Sequence, residues 1–202
     1  MNFKVTLVVM LITVSLPVYS GNYVLTIDGK KHELELGEQS ELKVGGETVS
    51  MVLDQKPILT YQSDMFSFDH PKQFIPAKTD LGSGIYQTLT VTPLGSLVLL
   101  QEYNNFSPVD TVDLIIDEVT KEEREYGYKM NEEAAEIKLK DGKSLIGKRV
   151  FSKHKGVDME RFVGAYGEKD SGVLVMTQID HDIDKDSSAF IQGILDSLIV
   201  DL

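Results

Sequence analysis

The sequence predicts an α+β sandwich: a central antiparallel sheet with one helix over each face. Three observations carry this. Strand-like segments joined by Asp-Gly and Gly-Gly turns recur along the 202-residue chain. Two segments, about 108–126 and 187–200, repeat apolar residues at helical spacing. Leu97-Val98-Leu99-Leu100 is an unbroken apolar run, as a strand covered on both faces requires. The order is strands, helix, strands, helix, and each helix needs a sheet face to cover.

The first residues read as an export signal. Lys4 gives a short positive start, and Val5 to Val18 is almost wholly apolar. That run is shorter than the roughly 20 residues that span a bilayer, and it has the flanks of a secretory core. Pro17 breaks the helix at its end. Val18 and Ser20 then stand at −3 and −1 of a cleavage site before Gly21. A membrane anchor or a buried first helix is the competing reading. The expectation is a signal peptide over 1–20 and a periplasmic or secreted protein. No stable membrane span is expected after cleavage, because no other apolar run is long enough. No Cys stands near the site, which argues against a lipid anchor.

About 180 residues then remain, one domain's worth. Hydrophobic residues make up 42% of the chain, enough for a core. The formal net charge of −12 excludes nucleic acid and anionic membrane as partners. It favours a basic partner, a cation or plain solubility. Cysteine is absent, so the fold relies on no disulfide and thiol chemistry is ruled out.

Residues 21–57 read as a small β appendage. Segments 23–27 and 32–36 flank Asp28-Gly29, and 42–44 and 48–53 flank Gly45-Gly46, two hairpin signals. Lys56-Pro57 marks a boundary, and 58–202 form the main domain. Segments 58–61 and 66–71 are strands, 74–84 a loop, and 85–92 and 96–103 strands again. Ser107-Pro108-Val109-Asp110 opens a helix, with Ser107 as cap and Pro108 at its first position. Val109, Val112, Ile116 and Val119 form its apolar face. Tyr126-Gly127 ends it. Strands at 135–140 and 144–151 flank Asp141-Gly142, a third hairpin signal of the same kind. Strands at 159–166 and 173–179 flank a turn. The closing helix presents Phe190, Ile191, Ile194, Leu195, Leu198 and Ile199 to the core.

Phe66-Ser67-Phe68-Asp69-His70-Pro71 resembles the "F-S-F-x-x-P" opening of the Mog1/PsbP-like family. Phe190 to Leu198 resembles its closing "F-x-x-I-L-D-S-L" helix. The resemblance covers about 61–199 and points to the exported, bacterial DcrB-type branch. It implies an α/β/α sandwich and non-enzymatic work as an accessory or binding subunit. Residues 21–57 have no counterpart in it, and no family partner surface carries over.

The sharpest polar cluster is Asp180, Asp182, Asp184 and Asp186, whose alternation resembles the oxygen-ligand spacing of a calcium loop. Lys185 stands where the turn glycine belongs, and Ile191 where a bidentate Glu belongs. The bland reading is an acidic approach to a helix N-terminus. His32, His70, His154 and His181 show no metal-ligand spacing. Gly82-Ser83-Gly84 leads from loop to strand, the wrong order for a phosphate cradle, and reads as a flexible contact loop. Glu102 and Tyr103 end the doubly apolar strand and join that contact set, with Glu102 read more simply as a solvent-facing rim residue. No catalytic set is legible.

The sequence thus favours a binding or accessory module that is not an enzyme, contacting a protein partner or small ligand, as a monomer or small homo-oligomer. A carboxylate-based hydrolase and a calcium-dependent structural or assembly factor are the alternatives. No cofactor is expected beyond a weak calcium ion.

Overall fold

A computed structural model describes residues 23–184 and 187–202. The expected signal at 1–20 lies outside the described residues. The chain divides into two units between Gln55 and Lys56.

In the first unit β1 (Tyr23–Ile27) pairs with β2 (Lys30–Leu34), and β3 (Gln39–Val44) with β4 (Glu47–Val52). Each hairpin is a two-stranded sheet by itself. Asp28-Gly29 has φ of 49° and 77°, and Gly45-Gly46 62° and 93°. Positive φ at both central residues matches the twist of the flanking strands. Leu36 and Leu53 bridge the two hairpins, and Gly37 N donates to Leu53 O at 2.8 Å.

The second unit is built on seven antiparallel strands. In chain order these are β7 (Ala77–Gly82), β8 (Ile85–Val91), β9 (Leu97–Tyr103), β10 (Lys129–Lys138), β11 (Ser144–His154), β12 (Val157–Gly167) and β13 (Gly172–Asp180). Across the sheet the order is β10-β11-β12-β13-β9-β8-β7. Before it in the chain lie β5 (Ile58–Gln62) and β6 (Phe66–Pro71), and the two-residue β14 (Ile199–Val200) closes the chain. These three form a second sheet, order β14-β6-β5. α1 (Val112–Glu125) follows a 3-10 turn at Pro108–Thr111, and α2 (Ser187–Ser197) precedes β14.

Strand alternation assigns each side chain to a face. On one face Val98, Leu100, Leu145, Phe162, Val173, Val175 and Ile179 pack with Phe190, Ile191, Ile194 and Leu195 of α2 and with Phe66 and Phe68 of β6. Phe68 stacks on Tyr61 with ring centroids 5.3 Å apart and on Phe66 at 6.0 Å. On the other face Tyr103, Val150, Val163, Ala165, Leu174 and Met176 pack with Val112 and Ile116 of α1. Arg161 of β12, buried on that face, grips Glu123 of α1 with both terminal nitrogens, at 2.7 and 2.9 Å.

The architecture corrects the expected fold. It is mostly β, 55% strand and 16% helix, so it is not an α/β/α sandwich. Seven strands at about 4.8 Å span roughly 30 Å, while a helix covers only about 10–12 Å. One helix per face leaves the sheet partly bare, and on the α2 face the second sheet covers the remainder.

Smaller corrections follow from local chemistry. The closing helix ends at Ser197, and the residues expected to extend it to 200 turn into β14. Ser107 makes no side-chain cap bond, and the tighter turn at Pro108 carries Val109 off the apolar face, leaving it 41% exposed. The loop expected over 74–84 contains β7, an exposed edge strand without apolar alternation. Asp141-Gly142 is not a two-residue turn of the Asp28-Gly29 kind. Leu139 N bonds Lys143 O and Gly142 N bonds Leu139 O, a longer loop with the glycine alone at positive φ. The two-residue turn nearby is Lys155-Gly156, which joins β11 to β12.

Candidate functional site

A cleft of about 90 Å³ opens between α2 and the sheet. Phe162, Ile179, Ile191 and Leu195 are its apolar walls, all buried, and Ile137 of β10 closes one side. Thr177, Ser188 and Gln192 add polar atoms. Arg149, Glu160 and His181 form the charged rim.

Strand register builds that rim. Arg149 sits opposite Phe162 across β11 and β12, and Glu160 lies two residues before Phe162. Glu160 sits opposite Ile179 across β12 and β13, and His181 follows Ile179 by two. Glu160 is therefore flanked diagonally by a cation on one side and an imidazole on the other, within reach of long side chains. Arg149 Nη1 donates to Glu160 Oε1. His181 Nε2 bonds Glu160 Oε2 at 2.9 Å. An ionised carboxylate only accepts, so Nε2 carries the proton and Nδ1 is the imidazole's remaining polar atom. His181 N also donates to Asp158 O at 2.8 Å, which fixes the residue from the backbone.

Gly164 sets the position of Phe162. A Cβ there would stand 2.3 Å from the ring tip, so only glycine lets the ring lie over this strand. Phe162 lines the cleft together with Arg149 and Glu160.

The arrangement selects by size and by hydrogen bonding. An apolar cavity of about 150 Å³ holds benzene, so this one takes a smaller body. Both oxygens of Glu160 are used, while Arg149 has four further N–H groups in a fixed fork. The rim thus offers Arg149 as donor and His181 Nδ1 as acceptor.

The residues expected to form a contact set do not line one site. Gly82-Ser83-Gly84 is the β7–β8 turn, pinned by Asn105 Nδ2 donating to Ser83 O at 2.9 Å and Asn104 N to Gly84 O at 3.0 Å. Glu102 and Tyr103 are neighbours on β9 and face opposite sides of the sheet. Tyr103 is buried beside α1, its hydroxyl donating to Gln101 Oε1 at 2.6 Å, and burial pushes its phenol pKa up. Glu102 is not a rim residue: it is 2% exposed, with Lys78 Nζ 2.8 Å from Oε2 and Met65 N donating to Oε1 at 3.2 Å. The Lys78 contact is a close ion pair without good hydrogen-bond alignment at Oε2.

The aspartate run is likewise divided. Asp180 Oδ1 accepts from Asp182 N at 3.0 Å, closing a local turn. Asp184 is buried, and its Oδ2 accepts from Ser96 at 2.8 Å, Thr92 at 3.1 Å and the Ser187 hydroxyl. Its Oδ1 accepts from Ser187 N at 3.1 Å, at the start of α2. Asp186 lies outside the described residues. Among the described residues no three His, Asp or Glu side chains are grouped to hold a metal ion.

Of the rim, only His181 stood out in the sequence, inside the aspartate run. A signal for Glu160 was present. It shares strand parity with Phe162, and a charge on an apolar face marks a site or an ion pair. The diagonal meeting with Arg149 and His181 depends on register, which the sequence does not display.

Among the described residues no helix is long and apolar enough to cross a membrane. No family model and no curated protein matches the chain. A crystal structure of a protein from Bacteroides thetaiotaomicron VPI-5482 is similar over 68% of this chain and 45% of its own, at 10% identity and a TM-score of 0.37. The chain thus spans less than half the length of that protein, and a likeness this weak carries neither fold nor function across.

Proposed function

We propose that the chain is an exported, non-enzymatic binding or accessory module of the bacterial envelope, and that the cleft under α2 receives a small ligand or one side chain of a protein partner. The observation that supports this reading is the build of the cleft: buried apolar walls on rigid strands and a helix, with the Arg149–Glu160–His181 chain fixed at one rim. Few polar groups converging on an apolar pocket is the usual form of a binding site. A hollow of about 150 Å³ beside Phe190 and Ile194 is apolar and lacks such a chain of bonded charges, and two others are lined by more solvated groups. A groove at the start of α1, lined by Val109, Ile146 and Lys148, and a depression bordered by Glu118, Glu122 and Glu125 rest mainly on solvated charges or exposed side chains.

The Mog1/PsbP-like resemblance belongs to the same proposal through its non-enzymatic implication. Its two motifs meet in one core, where Phe66 and Phe68 pack with Phe190, Ile194 and Leu198. They account for packing and say nothing about the partner. Export rests on residues 1–20, and mass spectrometry of the protein from its native host should find a chain beginning at Gly21. An intact Met1 terminus would remove export from the proposal.

The binding reading is tested by amide chemical shifts of the full chain against a panel of small molecules with one to six carbons. Perturbations should gather on β11–β13 and the first turns of α2. Shifts confined to the α1 face, or none with any compound, would reject the reading.

A further inference from the structure

We infer that the cleft recognises a short aliphatic carboxylate, its body between the sheet and α2 and its carboxylate on Arg149; this rests on the binding reading above. Two independent features of the site converge on that chemistry. The first is volume. About 90 Å³ with Phe162, Ile179, Ile191 and Leu195 as walls fits a body smaller than a benzene ring, about three to five carbons. The second is the hydrogen-bond balance of the rim. Each oxygen of Glu160 already accepts one bond, from Arg149 and from His181. What remains for a ligand includes the unused N–H groups of the Arg149 guanidinium.

A guanidinium presents five N–H groups in a planar fork that suits carboxylates, and it stays charged at any working pH. One N–H of Arg149 holds Glu160, and the residue lines the cleft with its other N–H groups uncommitted. Glu133 lies opposite Arg149 on β10, yet among the described residues the two form no ion pair. The Glu160 bond orients the guanidinium, which lowers the ordering cost of accepting a second carboxylate. The chain's net charge of −12 opposes any anion at long range, and salt screens that repulsion beyond about 8 Å, so contact bonds to Arg149 decide binding.

Such a group reaches the cleft as a free small acid or as the C-terminus of a partner chain ending in an aliphatic residue. The experiment titrates the full chain with isobutyrate, isobutyramide, benzoate, and acetyl-Gly-Gly-Val with a free or an amidated terminus, following the cleft amides. At least one acid should bind ten-fold or more tighter than its own amide. Benzoate should bind more weakly than isobutyrate. Arg149→Gln should abolish the preference for acid over amide while leaving weak binding of the apolar body, and Arg149→Lys should restore part of it. A tighter peptide acid identifies a chain terminus as the ligand, and a tighter isobutyrate a free acid. Equal binding of acid and amide overturns this inference and leaves the binding reading standing. Cleft shifts with no compound at all overturn both.

Discussion

At Asp184 one carboxylate holds the hydroxyls of Thr92, Ser96 and Ser187 and the first amide of α2. The Ser187 hydroxyl, followed by those of Ser96 and Thr92, keeps its pKa below the usual carboxylate range. The folded value is lower than the unfolded one. The stabilisation is therefore complete at neutral pH, fades as the pH falls below the ordinary value of about 4, and is gone beneath the folded value. Asp184→Asn should melt lower at pH 7 and lose less on acidification. Parallel melting curves for both proteins from pH 6 to pH 3 would contradict this. Calcium should leave the melting temperature unchanged against a chelator, because a cation at Asp184 would compete with donors already in place. A rise on adding calcium would restore the calcium-loop reading. None of this was legible locally. Thr92 and Ser96 lie 92 and 88 residues from Asp184 in sequence, so alternating aspartates showed and their partners did not.

Glu102 follows the same logic. Removing Lys78 strands a buried carboxylate, whereas Glu102→Gln keeps an acceptor for Met65 N. Lys78→Ala should therefore cost about 2 kcal/mol, and Glu102→Gln under about 1 kcal/mol, by chemical denaturation. The reverse ranking would mean that Lys78, which is partly in solvent, contributes little to the pair.

At the scale of elements, what holds each helix decides what moves. α1 is held by Val112 and Ile116 and by the Glu123–Arg161 fork. Glu123→Ala leaves a buried guanidinium with Gln178 and Ser152 alone, and should cost about 3 kcal/mol. Arg161→Lys should fail to preserve stability, since an ammonium cannot reproduce two parallel bonds. Gly164→Ala drives Phe162 off its strand, at a cost of about 1–3 kcal/mol, and should weaken any cleft ligand at the same time. Unchanged affinity in a folded Gly164→Ala protein would separate Phe162 from the site. Elements were legible where chemistry was local: the Asp28-Gly29 and Gly45-Gly46 turns, the apolar stripe of α2, the Leu97–Leu100 run. β7 was not, because an edge strand guarded by Lys78 and Asp80 shows no alternation. Lys155-Gly156 was not, because a lysine at φ 42° carries no turn signature.

At the scale of the whole molecule, the error in the expected fold was one of width. Two helical stripes and a buried strand fix how many faces need cover, and only the strand count fixes how much cover each needs. The missing layer is assembled from both ends of the second unit, β5 and β6 at its start and β14 at its close. Periodicity within a segment cannot reveal such pairing. The division at Gln55 and Lys56 has a direct consequence. Asp54 to Pro57 are exposed and outside any strand, so a non-specific protease at low dose should nick there first. The fragment retained should keep the slow-exchanging amides of β9, β12 and β13. First cuts inside the seven-stranded sheet would contradict the division into two compact units.

The central claim is that ligands enter under α2. Intermolecular nuclear Overhauser effects from the methyls of bound isobutyrate test it most directly. Contacts to the methyls of Ile137, Ile179, Ile191 and Leu195 are the predicted result. Contacts to Val109 and Ile146 on the α1 side would contradict it.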